Sequence, residues 1–305
     1  EAAKNAAKDI GGATMAQNEA IKAATKNEAN KNTIEPITQV EGNKTVTDKL
    51  NAALPTGTTV SDSDVKIVYQ TYIDVEVKDA AKENSTFTEL TVELTPMYRV
   101  IAAPSTATDY NVDVDKNTSK PVNAVQIVGE KPLTLTGKYE VTLQLPNGFV
   151  VPSDNKLSIK HIKDNRTVEY YTGKVTADGG KLYLTFTTNG FSPFTISAPA
   201  ASIGETMYPT LAEAISAAAN SATVKLEKAC AEEVTVSGKS LTIDKNGHEY
   251  DFAKVTVDSN STKTVNGDSL TITYTAPSYY SGSSSDPTYS VSTPSKTEHG
   301  TVTVS

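Results

Sequence analysis

Between Ile34 and Ala200 apolar residues recur at every second position in short runs. "DVKIVYQTYIDVEVKDA" puts Val65, Ile67 and Tyr69 on one face, then Tyr72 or Ile73 with Val75 and Val77. "FTELTVELTPMYRVIAA" does the same with Leu90, Val92 and Leu94. A period of two predicts strands with one buried face. Further runs of this kind are "YNVDVD", "VNAVQIVG", "LTLTGKYEVTLQLP", "KLSIKHIKD", "TVEYYTGKVTA" and "KLYLTFTTNGFSPFTISA". Turn residues punctuate them: Pro-Asn-Gly at 146–148, Asp-Asn at 154–155 and 164–165, and Asp-Gly-Gly at 178–180. Strands so spaced predict antiparallel sheets in a sandwich-like arrangement.

The period changes on either side. Residues 1–33 are rich in Ala, Lys, Asn and Glu and read as a helical lead-in, interrupted at Gly11–Gly12. "TVTDKLNAAL" reads as a second short helix. After "SAPAASIG" (197–204), a small-residue linker, comes "YPTLAEAISAAANSA". Thr210 is placed to cap a helix with Glu213 three residues on, and Leu211, Ala214, Ile215 and Ala218 share one helical face. Strand cores follow at 222–226, 233–236, 240–244, 254–258 and 269–276. The expected organisation is therefore mainly β with an N-terminal helix. It comprises the lead-in (1–33), a β-sandwich-like region (34–200, with room for a subdivision near 130) and a small helix-capped β-helix-like module (201–276). A Ser/Gly/Pro linker (277–288) leads to the start of a further β-repeat (289–305). That last piece reads as a hairpin turning near His299–Gly300. The chain opens on Glu1 rather than Met and stops in mid-alternation, so a piece of a longer protein is expected.

Composition narrows the function classes. Trp is absent and apolar residues are 37%, which suits thin β-modules better than one large core around a cleft. A formal charge of −8 argues against nucleic-acid binding, which needs a basic stripe. No Lys/Arg run favours a membrane surface. The single cysteine, Cys230, excludes an internal disulfide and reads as a partly buried, unreactive thiol.

Candidate chemistry is sparse. The three histidines, His161, His248 and His299, lie in different expected modules and fit no metal-ligand spacing. His161 alternates with apolar residues in "SIKHIKD" and reads as structural. Asp109, Asn111, Asp113 and Asp115 would share one strand face, an oxygen-only set that could suit calcium. An EF-hand loop, however, needs Gly and Glu where Val114 and Lys120 stand, so a solvated face is the better reading. The 14 tyrosines could stack on sugar rings, but cross-strand packing explains most of them. "DKNGH" (Asp244–His248) gathers polar groups, yet Asn-Gly is a tight-turn signal, and it reads as a strand-turn-strand with Asp244 and His248 closing the turn. Val234, Val236, Leu241 and Ile243 then face inward, with Phe252.

Two stretches carry a resemblance. "YEVTLQLPNGFV", "LSIKHIKDNRTVEYYTGKVTADGG" and "KLYLTFTTNGFSPFTIS" resemble a β-module of large cell-surface proteins of Gram-positive Firmicutes. "ASIGETMYPTLAEAISAAANSATVKLEKA" with "VTVSGKSLTIDKNGHEYDF" is similar to the start of a pectate-lyase-like right-handed β-helix. The end of the chain resembles a repeat that often precedes S-layer homology domains. The resemblance spans roughly residues 135–305 and implies an extracellular, cell-wall location. It carries no catalytic residues across, and only two arginines, Arg99 and Arg166, are present. The expectation is a non-catalytic structural or adhesive module with no cofactor. Its partners would be a cell-wall or host or dietary glycan, or another surface protein. The alternatives are a glycan-binding module and an accessory region of a polysaccharide-degrading enzyme.

Overall fold

The computed structural model of the chain describes residues 13–14, 44–112, 121–132, 138–277, 289–291 and 302–304. Its architecture is mainly β, with antiparallel sheets and few helices. The helical lead-in expected over 1–33 lies outside the described residues except at Ala13–Thr14, which is a short strand, β1, and not helix. Neighbouring Gly11–Gly12 disfavour a helix there, and sheet pairing supplies the backbone partners instead. Helix α1, Lys44–Ala53, falls where "TVTDKLNAAL" predicts one and buries Val46 and Leu50.

Strands β2 (Val65–Glu83) and β3 (Thr86–Pro104) form a hairpin of two 19-residue arms. Its turn is Asn84–Ser85, both at positive φ (47° and 74°), the sense of twist that a two-residue hairpin requires. Leu90, Val92 and Leu94 of β3 are fully buried, as their alternation predicts. Pro96 lies between the stretch of β3 that pairs with β9 (Pro193–Ser197) and the stretch that pairs with β4 (Val125–Pro132). A proline cannot donate to a ladder, and here the ladder on that side is already interrupted. The hairpin thus divides into two parts. Its far arms contribute to a minor core of Ile101, Ala103 and Ala124, against which Val68, Ala107, Tyr110 and Val112 pack.

The near arms belong to the main sheet, with β5 (Tyr139–Gln144), β6 (Lys156–Ile162), β7 (Val168–Asp178) and β8 (Lys181–Thr188). Strand order is β2-β1-β5-β8-β7-β6-β9-β3-β4, and β2 also pairs with β3, so the sheet closes on itself. Closure passes through β1, where Ala13 pairs with both Ile73 and Leu143. Inside lie Phe87, Leu143, Leu157, Ile159, Leu184, Phe194 and Ile196.

No flexible linker follows. Ala200 and Ala201 are buried, and Ala200 donates to the Tyr208 carbonyl and accepts from the Glu227 amide (2.9 Å each). The run "SAPAASIG" is small-residued because the chain is packed there, which corrects its reading as a linker. It leads into β10 (Ala201–Ile203), β11 (Thr206–Tyr208) and helix α2 (Leu211–Ala217), whose N-cap is Thr210 as expected. Next come β12 (Ala222–Leu226), β13 (Val234–Val236), β14 (Leu241–Asp244) and β15 (Val255–Val257). These pair in parallel, β12 with β14 and β13 with β15, as two stacked turns of a coil. Antiparallel strands then cover its open edges: β10 against β12, and β17 (Ser269–Tyr274) against β14, followed by β16 (Ser261–Asn266). Strands β18 (Tyr289–Val291) and β19 (Val302–Val304) pair antiparallel with each other.

One core position has no room for a side chain. A Cβ on Gly173 would sit 2.3 Å from Leu184 Cδ1 and 2.7 Å from Ile159 Cδ1, and both neighbours are fully buried. We expect Gly173→Val to destabilise the chain by about 1–3 kcal/mol, read as a lower urea midpoint at unchanged slope.

Candidate functional site

Two concavities among the described residues carry polar side chains, one where the closed sheet meets the coil and one around the "DKNGH" turn. The first is built on β6 and β7. Alternation turns Leu157, Ile159 and His161 to the closed-sheet core, so histidine occupies a position where the pattern places an apolar residue. His161 is fully buried, stacked on Phe194 (centroids 4.4 Å apart, planes 9° apart), with Nε2 2.6 Å from Ser192 Oγ. Nδ1 lies 3.5 Å from the Tyr171 hydroxyl and 3.9 Å from Glu169 Oε2. Glu169 in turn accepts from Lys163 and from the Tyr171 hydroxyl, which also lies 3.0 Å from Asn189 Oδ1.

The electrostatics follow from burial. Desolvation lowers the His161 pKa below its ordinary value, against the opposing pull of Glu169. The Lys163 ammonium, and then the Tyr171 hydroxyl, hold Glu169 below the usual carboxylate range. Burial pushes Tyr170 and Tyr171 up to about 12, so both phenols stay protonated.

Ser, His and Glu in this order resemble a nucleophilic triad, and the Ser–His distance is short enough for one. Accessibility decides against that use. Ser192 is 7% exposed and His161 is 0% exposed, and neither lines the adjoining cavity. A nucleophile must reach its substrate. What the pair does is tie the loop before β9 to β6: stacking contributes about 0.5–1.5 kcal/mol and the hydrogen bond about 1 kcal/mol.

The cavity itself, about 490 Å³, wraps the first residues of β7. Lys138, Glu169, Tyr171 and the Thr187–Asn189 turn border it on the closed-sheet side; Tyr170, Thr206, Tyr208 and Ala217 complete it. Tyr170 and Tyr208 pack with centroids 4.8 Å apart.

The second concavity, about 580 Å³, is lined by Cys230, Lys245, Gly247, His248, Glu249, Tyr250, Asp251, Lys254 and Asp268. Asn246 and Gly247 have positive φ (51° and 82°), and Asp244 Oδ1 accepts from the Asn246 amide at 2.8 Å. The turn closes through the His248 amide and the Lys245 carbonyl, 2.8 Å apart, rather than through the imidazole. It does not make a hairpin. The chain continues to β15, which pairs with β13, and Asn246 Nδ2 donates to the Leu226 carbonyl of the preceding turn. The strand-turn-strand expectation is corrected accordingly: the turn stacks on the coil below it. Cys230 shares this cavity with His248, but burial raises its pKa, which leaves a thiol rather than a thiolate.

The remaining sequence candidates disperse. Asp113 and Asp115 lie outside the described residues, as do His299, Tyr279 and Tyr280. Asp109 and Asn111 are not in a strand, contrary to the alternation. The Asn111 amide N–H donates to Asn123 Oδ1 at 2.5 Å and its side chain donates to the Pro121 carbonyl at 3.3 Å, so this residue pins a loop. No group of three or more metal-ligating side chains is close enough to hold an ion among the described residues. Nor, among them, is any helix long and apolar enough to cross a membrane. Glu169, Asn189 and Ser192 carry no sequence signal of their own; only their place beside the His161 and "GFSPF" motifs marks them.

Comparison with family models, curated proteins and solved structures gives no match.

His161 makes the fold acid-sensitive. A histidine with a depressed folded pKa takes its proton first in the unfolded chain. Its contribution is therefore complete above about pH 6.5 and is lost as pH falls toward the folded value. Between pH 7.5 and 5.5 the wild-type urea midpoint should fall by more than that of His161→Phe, which keeps the stacking and cannot titrate. Equal falls in both proteins would contradict the assignment.

Proposed function

We propose that this chain is a non-catalytic, load-bearing pair of modules from an extracellular bacterial cell-surface protein, holding other parts of that protein at a distance from the wall. The observation that carries this reading is the joint between the closed sheet and the coil. The outward face of β6 and β7 is covered over Ser158–Lys160 and Tyr170–Thr172, while Lys156, Ile162, Val168, Lys174 and Thr176 toward the strand ends stay exposed. Ser158 is fully buried there, Met207 of β11 is 4% exposed, and Tyr208 packs against Tyr170 with the rings tilted by 49°. Thr172 Oγ1 donates to the Glu205 carbonyl (2.6 Å) and accepts from the Met207 amide (3.0 Å). Lys160 Nζ meets Glu213 Oε1 at 2.6 Å, with both side chains less than a third exposed.

Apolar burial dominates this joint. Burying one methionine stabilises by about 1.5–3 kcal/mol, whereas an ion pair with some solvent access contributes about 0–1 kcal/mol. The polar contacts set the orientation. A short, buried, hydrogen-bonded connection resists bending, which is what a spacer requires and what a hinged enzyme would avoid. The Gram-positive and S-layer-associated setting rests on the sequence resemblance. An adhesive role toward a glycan or another surface protein belongs to the same reading.

Native-state hydrogen exchange tests the joint. In the wild-type chain, amides of β7 and of β12 should share one opening free energy. The double variant Lys160→Met/Thr172→Val should split them, with β12 opening at lower cost. Separate opening energies in the wild type would rule out a rigid joint.

A further inference from the structure

We infer that the cavity at this joint binds a saccharide. The inference shares the joint with the spacer reading but rests on a different observation: which groups the cavity leaves unspent rather than how stiffly the modules are held.

Its volume, about 490 Å³, lies within the range of about 300–1,000 Å³ typical of small-molecule sites. The lining divides into two sets. Glu169, Tyr171, Thr188 and Asn189 are spent on one another and on the backbone: Tyr171 on Glu169 and Asn189, and Thr188 Oγ1 on the Gly190 carbonyl (2.8 Å). Tyr170 packs on Tyr208 with the Glu213 carboxylate beside it. These groups form a wall already held in place, so a ligand need not order it. The second set is Lys138, Thr187 and Thr206. Among the described residues their side chains have no hydrogen-bond or ion-pair partner, and Lys138 and Thr187 are exposed.

Two partly exposed tyrosines, Tyr170 and Tyr171, beside unspent hydroxyls and one ammonium match the two faces of a sugar. Its C–H face stacks on phenol rings, and its hydroxyls exchange hydrogen bonds with Thr and Lys. Charge discriminates further. Glu169 is neutralised by Lys163, so Lys138 is the uncompensated charge of the lining. That balance suits a neutral saccharide or one bearing a carboxylate, and disfavours a basic peptide. The second concavity has another character: Lys245, Lys254, Asp251, Asp268 and Glu249 mix both signs around one aromatic ring, Tyr250.

The whole chain should be screened on an array of neutral and uronic- or sialic-acid-containing glycans, and each hit titrated by calorimetry. Thr187→Arg puts a long side chain into the cavity from an exposed strand position and should weaken binding at least tenfold. Lys138→Met should weaken carboxylated glycans more than neutral ones. Asp268→Asn, in the other concavity, should leave binding unchanged. Circular dichroism melts of all three variants establish that they fold. No array signal above background would overturn the inference, as would full affinity in a folded Thr187→Arg variant or loss of binding confined to Asp268→Asn.

Discussion

Coverage of both faces of β6 and β7 over their shared central stretch is the constraint around which the described structure is arranged. One face supplies Leu157, Ile159 and Val175 to the closed sheet. The other places Ser158, Lys160, Tyr170 and Thr172 against β11 and α2. A strand buried on one side only can alternate freely between apolar and polar residues. Here the outer face must still satisfy a neighbour's backbone, which is why it carries Thr172, with a hydroxyl able to donate and accept, rather than valine. It also explains Gly173, the residue that lets Leu184 and Ile159 close over the strand from inside.

The coil depends on the same kind of completion. Two parallel turns bury too little to stand alone, since repeat architectures generally need about three units or more. This chain finishes its two turns with unlike elements. Helix α2 presents Leu211, Ala214 and Ile215 to the coil core, and β10 and β17 close the edges in antiparallel sense. Side chains bind each turn to the next: Lys239 donates to the Ile215, Ser216 and Ala218 carbonyls at the end of α2, and Glu232 accepts from the Leu211 and Ala212 amides at its start. The β12 and β14 edges, covered in this way, do not offer themselves for further pairing.

Sequence periodicity disclosed which residues face inward far better than which strands meet. Leu90, Val92, Leu94, Val234, Val236, Leu241 and Ile243 are all buried as alternation requires, because a side-chain period reports local geometry. Pairing partners are chosen by contacts distant in sequence, so periodicity did not disclose sheet closure through β1, and the parallel coil was expected only from the resemblance of residues 201–276 to the start of a β-helix. The turn is the clearest case. Asn-Gly correctly signals positive φ, but positive φ only redirects a chain; whether the next strand returns alongside or climbs one turn depends on the hydrophobic face waiting for Val255. The His161 cluster was half legible for the same reason. Its alternation marks an inward histidine, whereas Ser192 and Glu169 reach it across the sheet.

Tyr170 shows why joint and cavity occur together. It sits on the outward face of β7, one residue from Tyr171 on the inward face, at the end of the strand where the two faces meet around a rim. Packing against Tyr208 fixes its ring for the joint. The same fixed ring lines a hollow that neither the closed sheet nor the coil forms alone. A packed joint between two curved β-surfaces leaves such a hollow at its margin, because side chains fill the centre while the surfaces diverge at the edge. Rigidity at the centre then keeps the margin open and shaped, so stiffness and recognition draw on the same contact.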